Sequence, residues 1–136
     1  MDDDEGLERL LDYHGRLYTL ANRWVIRLRV FRVEASAGRP QGIKYSFMLH
    51  DDSGKRLLGF DNAHSVKKGA AYDHQHRFRN TIETTPYAFR NADLLLSDFF
   101  TAVRKACLTE GVAFEVTDET VETLVKEVED DEDSDT

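Results

Sequence analysis

The alternation of apolar and basic side chains between Arg23 and Glu34 constrains this chain more than any other feature. Trp24, Ile26, Leu28 and Val30 fall on one face of an extended backbone, while Arg23, Arg27 and Arg29 fall on the other. A period of two with one apolar face describes a strand of an antiparallel sheet whose second face meets water. Arg16 to Leu20 reads as a strand before it, joined near Ala21–Asn22. After a loop of turn formers at 35–42, Ile43, Tyr45, Phe47 and Leu49 alternate with Lys44, Ser46 and Met48 in a third strand. Asp51-Asp52-Ser53-Gly54 reads as a hairpin turn, and Arg56 to Phe60 returns as a fourth strand. The pattern is an antiparallel meander.

Helical periodicity takes over further on. Asn91 is placed to cap a helix from Ala92 to about Glu110, closed by Gly111, with Leu96, Phe99, Phe100, Val103 and Cys107 as the stripe that lies across the sheet. The opening DDDEGLERLL reads as a short helix with acids in its first turn and Leu7, Leu10 and Leu11 on its buried side. Val112 to Val116 reads as another strand. A second short helix is expected from Thr117 or Asp118, with Val121, Leu124, Val125 and Val128 sharing a face. The fold class expected is therefore α+β: a meander, one long helix across it and short terminal helices. With 136 residues there is room for one core, so 1–128 is expected as a single domain, followed by a disordered acidic tail over 129–136.

Charge is divided along the chain. Residues 1–9 carry five acids against Arg9, and 117–136 carry ten against Lys126, so the net −8 leaves the body, 10–116, at +5 with all five histidines. A basic body with acidic ends suits a protein that meets phosphate, although solvated tails alone would give the same division. The arginine row of the second strand has the same two readings, a polyanion site or the wet face of a sheet. No run approaches a membrane span, the acidic start is no secretory leader, and the single Cys107 forms neither an internal disulfide nor a metal motif. A cytoplasmic protein with no membrane association and no cofactor is expected.

The stretch 60–90 breaks the regular pattern and gathers Asp61, Asn62, His64, Lys67, Lys68, Asp73, His74, His76, Arg77 and Arg79. His74 and His76 are two apart, so an extended backbone projects both to one face. Two imidazoles there can serve as base and acid near neutral pH. They can also hold a metal with Asp61 or Asp73, or be hydrogen-bonded structural groups.

Phe60-Asp61-Asn62, Gly69, Asp73-His74-x-His76, Pro86-Tyr87-x-Phe89 and Leu95-Leu96-x-Asp98-Phe99 occur in an order that resembles the TumE family, over roughly residues 16–108. The resemblance implies the toxin of a prokaryotic type II toxin–antitoxin pair, encoded beside a helix-turn-helix antitoxin and arresting growth when that partner is missing. Ribonuclease activity is the usual assumption for such toxins. On that footing the expected reaction is metal-independent RNA cleavage: His74 and His76 transfer protons, Asp73 or Asp61 orients an imidazole, and Arg77, Arg79 and Lys68 hold phosphate. A metal-dependent nuclease using the Asp and His ligands, and a binding module without catalysis, are the competing readings. The assembly state, homodimer included, is open. Two departures stand out. Gln75 occupies a position often basic in the family, and the spacer from Asn62 to Asp73 is longer, with Lys67 and Lys68 inside it.

Overall fold

Backbone pairing organises the chain into one sheet, seen here in a computed structural model that describes residues 2–63, 72–80 and 83–122. Helix α1 (Asp2–Leu11) precedes strands β1 (Arg16–Leu20), β2 (Val25–Arg32), β3 (Ile43–His50), β4 (Arg56–Asp61), β5 (His74–His76) and β6 (Thr85–Pro86). Helix α2 (Ala92–Glu110) and β7 (Val116–Val121) follow. The strand order is β6-β5-β4-β3-β2-β1-β7 and every neighbouring pair is antiparallel.

The alternation of β2 and β3 decides which face is dry. Ile26, Leu28, Val30, Tyr45, Phe47 and Leu49 are buried, and with Leu58 and Phe60 of β4 they form one core with α2. Phe99 of the helix meets both Phe47 and Phe60 edge to face, at ring separations of 5.7 and 5.9 Å. Asn91 caps α2 as expected, its side chain accepting from the Leu94 N–H at 2.9 Å. Gly111, in the left-handed region at φ 73°, ends it. The buried stripe runs through Leu95, Phe99, Val103, Ala106 and Cys107, while Leu96 and Phe100 lie half-buried beside it. In α1, Leu10 is buried and Leu7 and Leu11 pack against the core from its margin.

Turn chemistry sets the register. The Asp51 carboxylate accepts from the Ser53 and Lys55 backbone N–H groups, and Gly54 adopts φ 92°, which closes the β3–β4 hairpin. Arg23 stands at φ 75° in the β1–β2 turn, so it leaves the row that Arg27 and Arg29 share.

The α+β class and the meander hold, but the C-terminal expectation does not. No helix starts at Thr117 or Asp118; Val116–Val121 is strand β7, paired along β1 from Arg16↔Val121 to Leu20↔Val116. Residues 112–115, read as a strand, only lead into it. Val116, Thr117, Thr120 and Val121 are β-branched, which favours a pleated strand over a helical turn, and the open edge of β1 supplies the partner. Leu124, Val125, Val128 and the acidic tail lie outside the described residues, as do His64, Lys67 and Lys68.

Candidate site on the sheet face opposite the helices

Directly paired residues of antiparallel strands project to the same side, so the register shows which side chains share the face away from α2. One cross-strand row reads Arg29, Ser46, Asp61, His74. The next reads Arg27, Met48, Gly59, His76. A third, at the hairpin end, brings Val25, His50 and Arg56 together. The histidine pair and the arginine row of β2 thus belong to one surface.

At its centre the Asp61 carboxylate lies between two imidazoles. Its Oδ1 is 3.2 Å from His74 Nε2 and its Oδ2 is 3.6 Å from His76 Nε2. The two rings meet edge to face, 5.1 Å apart, and all three side chains are buried. His74 Nδ1 donates to the Tyr72 carbonyl at 2.8 Å. A carbonyl only accepts, so that nitrogen carries a proton, and Nε2 then faces a carboxylate that favours a second one. Burial opposes a charged ring here, but the hydrogen bond and charge of Asp61, with the Tyr72 carbonyl, outweigh it and raise the His74 pKa. Asp61 is the counterpart: burial pushes its carboxyl up, while contacts from His74 and His76 hold it well below the ordinary range.

His76 is less committed. Its 3.6 Å approach to Asp61 is too long for a good hydrogen bond, and among the described residues its buried Nδ1 has no hydrogen-bond partner. Such a ring nitrogen can still donate or accept one hydrogen bond. One ligand atom from each of Asp61, His74 and His76 lies within 4.8 Å of the others, and the Tyr72 carbonyl on His74 Nδ1 is the kind of outer contact that orients a metal-binding imidazole. The same triad can therefore hold a divalent cation or move protons.

The other expected site residues are distributed differently. Asp73 turns to the helix side, where its Oδ2 accepts the Tyr45 hydroxyl at 2.7 Å; burial raises its pKa, against the pull of that hydrogen bond. Of the two candidate orienting acids it is Asp61 that meets the imidazoles. Arg77 is exposed and lines, with Gln75, Phe78, Lys105 and the margin of His76, a groove of about 240 Å³ against α2. Arg79 forms an ion pair with Glu110 at 2.7 Å. Sequence reasoning did not reach Ser46, Met48, His50, Arg56 or the Tyr72 carbonyl, because their role depends on strand register. The dipeptide Asp61-Asn62 carried a signal: fully buried Asn62 accepts from the Tyr45 N–H and donates to the Ile43 carbonyl, both at 2.9 Å, and so pins the end of β4 beside β3.

The remaining motif residues explain how the site is held. Tyr87 donates to Asp98 of α2 at 2.7 Å, Phe60 packs on Tyr87, and Phe89 packs on Tyr45. Together they fasten β6 and the start of α2 behind the strands that bear Asp61, His74 and His76.

The described residues thus form a small α+β protein with one sheet face under the helices and a buried acid–imidazole cluster beside cations on the other. The chain belongs to the Toxin TumE family, whose profile matches residues 5–106. It is thus a member of a toxin family, and an antitoxin partner goes with that membership. No curated protein and no solved structure matches the chain. Among the described residues no helix is long and apolar enough to cross a membrane.

Proposed function

We propose that this toxin is an RNA endonuclease whose catalytic pair is His74 and His76, and that it is restrained by a helix-turn-helix antitoxin in the cytoplasm. The observation that carries the reading is the unequal state of the two rings around Asp61. His74 has an acceptor at each nitrogen and its pKa is raised, whereas among the described residues His76 Nδ1 has no hydrogen-bond partner. That is the division of labour that cleavage through a 2′-hydroxyl needs. His76 takes the 2′-hydroxyl proton and the 2′-oxygen attacks phosphorus. The bond to the 5′-oxygen breaks, and His74 gives its proton to that oxygen, leaving a 2′,3′-cyclic phosphate and a 5′-hydroxyl. Asp61 is a positioning residue that raises the His74 pKa and so favours its charged form. Arg77, exposed and next to His76 in the chain, is assigned to the phosphate ahead of Arg79, which is paired with Glu110; Lys68 lies outside the described residues.

Expression from a tight promoter, with and without the antitoxin gene, followed by mapping of RNA ends, tests the proposal. His74→Ala and His76→Ala should each relieve growth arrest while leaving a folded protein, and wild-type cleavage should persist in chelator. Full toxicity of both variants would remove these rings from catalysis. The convergence of Asp61, His74 and His76 within 4.8 Å favours a second reading, a metal-dependent nuclease. Loss of cleavage in chelator, restored by a divalent ion, would select it.

A further inference from the structure

We infer that the face of the sheet opposite α1 and α2 is a track for the backbone of single-stranded RNA, with Arg27, Arg29 and Arg56 holding phosphates on the way to Asp61, His74 and His76. The inference rests on the RNA reading above and adds a binding site to it, away from Arg77 and Arg79.

The geometry comes from the register. Arg29 stands in the same cross-strand row as Asp61 and His74, with Ser46 between them. Arg27 stands in the row of His76, with Met48 and Gly59 between them. From β2 to β5 there are three inter-strand steps of about 4.8 Å, so the arginines lie roughly 14 Å from the histidines across a continuous surface. Gly59 keeps this surface low, because a Cβ there would run into the Met48 sulfur that crosses it.

Charge identifies the occupant. An ordinary wet face of an antiparallel sheet mixes signs, since like charges placed together destabilise. Among the described residues of β2 to β5 this face carries Arg27, Arg29, buried Lys44, His50 and Arg56 against one acid, Asp61, which is engaged by the histidines. The cations feel one another: burial first, then Arg27 and Arg56, lower the His50 pKa, and Arg56 also bears on His74. Acids fence the patch, with Asp51 and Asp52 at the hairpin and Glu122 on the β7 side. A row of guanidinium forks inside such a fence matches a chain of phosphates. Arg27 is paired with Glu122 at 3.3 Å, and Arg29 and Arg56 have interactions of their own, so RNA would have to displace or share these contacts.

The test uses the full chain carrying His76→Gln, so that RNA survives, and the anisotropy of a labelled uridine homopolymer between about 50 and 200 mM salt. Adding Arg27→Gln and Arg29→Gln should weaken binding about tenfold at the low end, and should flatten the salt dependence by about 0.7 per lost contact. Glu122→Gln should strengthen binding at low salt. The control Arg104→Gln, on α2 beside Phe114, should leave it unchanged. Arginine-to-lysine versions, which keep the charge and lose the fork, should fall between wild type and glutamine, and they serve if the glutamine pair does not fold. Unaltered affinity in the arginine variants, or equal loss in Arg104→Gln, overturns the track. So does weakened capture of the antitoxin with RNA binding intact, which would make this face the antitoxin's. The two proposals fail separately: if wild type binds RNA through these arginines yet cuts none, the endonuclease reading falls and the track stands.

Discussion

Asp61 and a protonated His74 form a buried ion pair, and such a pair stabilises only while both members keep their charge. The Asp61 carboxyl titrates far below its unfolded value, so its contribution is in place above about pH 4 and is lost as pH falls through the depressed value. The His74 ring titrates above its unfolded value, so its contribution is complete below about pH 6.5 and is lost as pH rises through the raised value. Stability from this pair should therefore peak between about pH 4 and 6.5 and decline on the alkaline side. Denaturant unfolding of the protein in chelated buffer at several pH values would show the slope. His74→Gln should remove the alkaline part of it, and Asp61→Asn should cost about 2 kcal/mol near pH 6, where a charge-assisted hydrogen bond is lost. An alkaline slope that survives His74→Gln would assign it to another group.

Among the elements, β4 has the tightest demand. A Cβ on Gly59 would overlap the Met48 sulfur and approach the Phe47 carbonyl to 3.2 Å. The sulfur sits on a flexible side chain and can swing away; the carbonyl belongs to the β3 backbone and cannot. Gly59→Ala should therefore destabilise by about 1–3 kcal/mol, as overpacking does, and Met48→Ala should recover only part of that in a double-mutant cycle read by thermal unfolding. Full recovery would show that the sulfur alone forbids a side chain. These same elements show what the sequence could convey. β2, β3, the 51–54 turn and α2 were legible because period two, turn residues and the Asn91 and Gly111 caps act locally. The helix expected after Thr117 failed because its apolar spacing also fits one strand, and the free edge of β1, invisible in sequence, decided between them. The shared face of His74 and His76 could be read from their spacing. Asp61 between them could not, since it depends on how β5 registers on β4 after the intervening residues.

At the scale of the molecule, the acidic ends and the basic sheet face have to be weighed together. The described residues reach Glu122, which is paired with Arg27 at the margin of the cationic face. Residues 123–136 lie outside the described structure, and their charge is the relevant property: seven acids against Lys126. Screening confines such charge to about 8–10 Å at physiological ionic strength, so the tail affects RNA only when near the face, and more at low salt. No apolar residue follows Val128, which leaves Asp130–Thr136 without a side chain to anchor in a core. Deletion of those seven residues should therefore keep the fold and raise RNA affinity modestly, with the gain shrinking as salt rises. It should add to the effect of Glu122→Gln, because the two remove separate charges from the same boundary. Binding isotherms of the full and shortened chains at two salt concentrations measure this; superimposable curves at low salt would reduce the tail to a solubility segment with no part in binding.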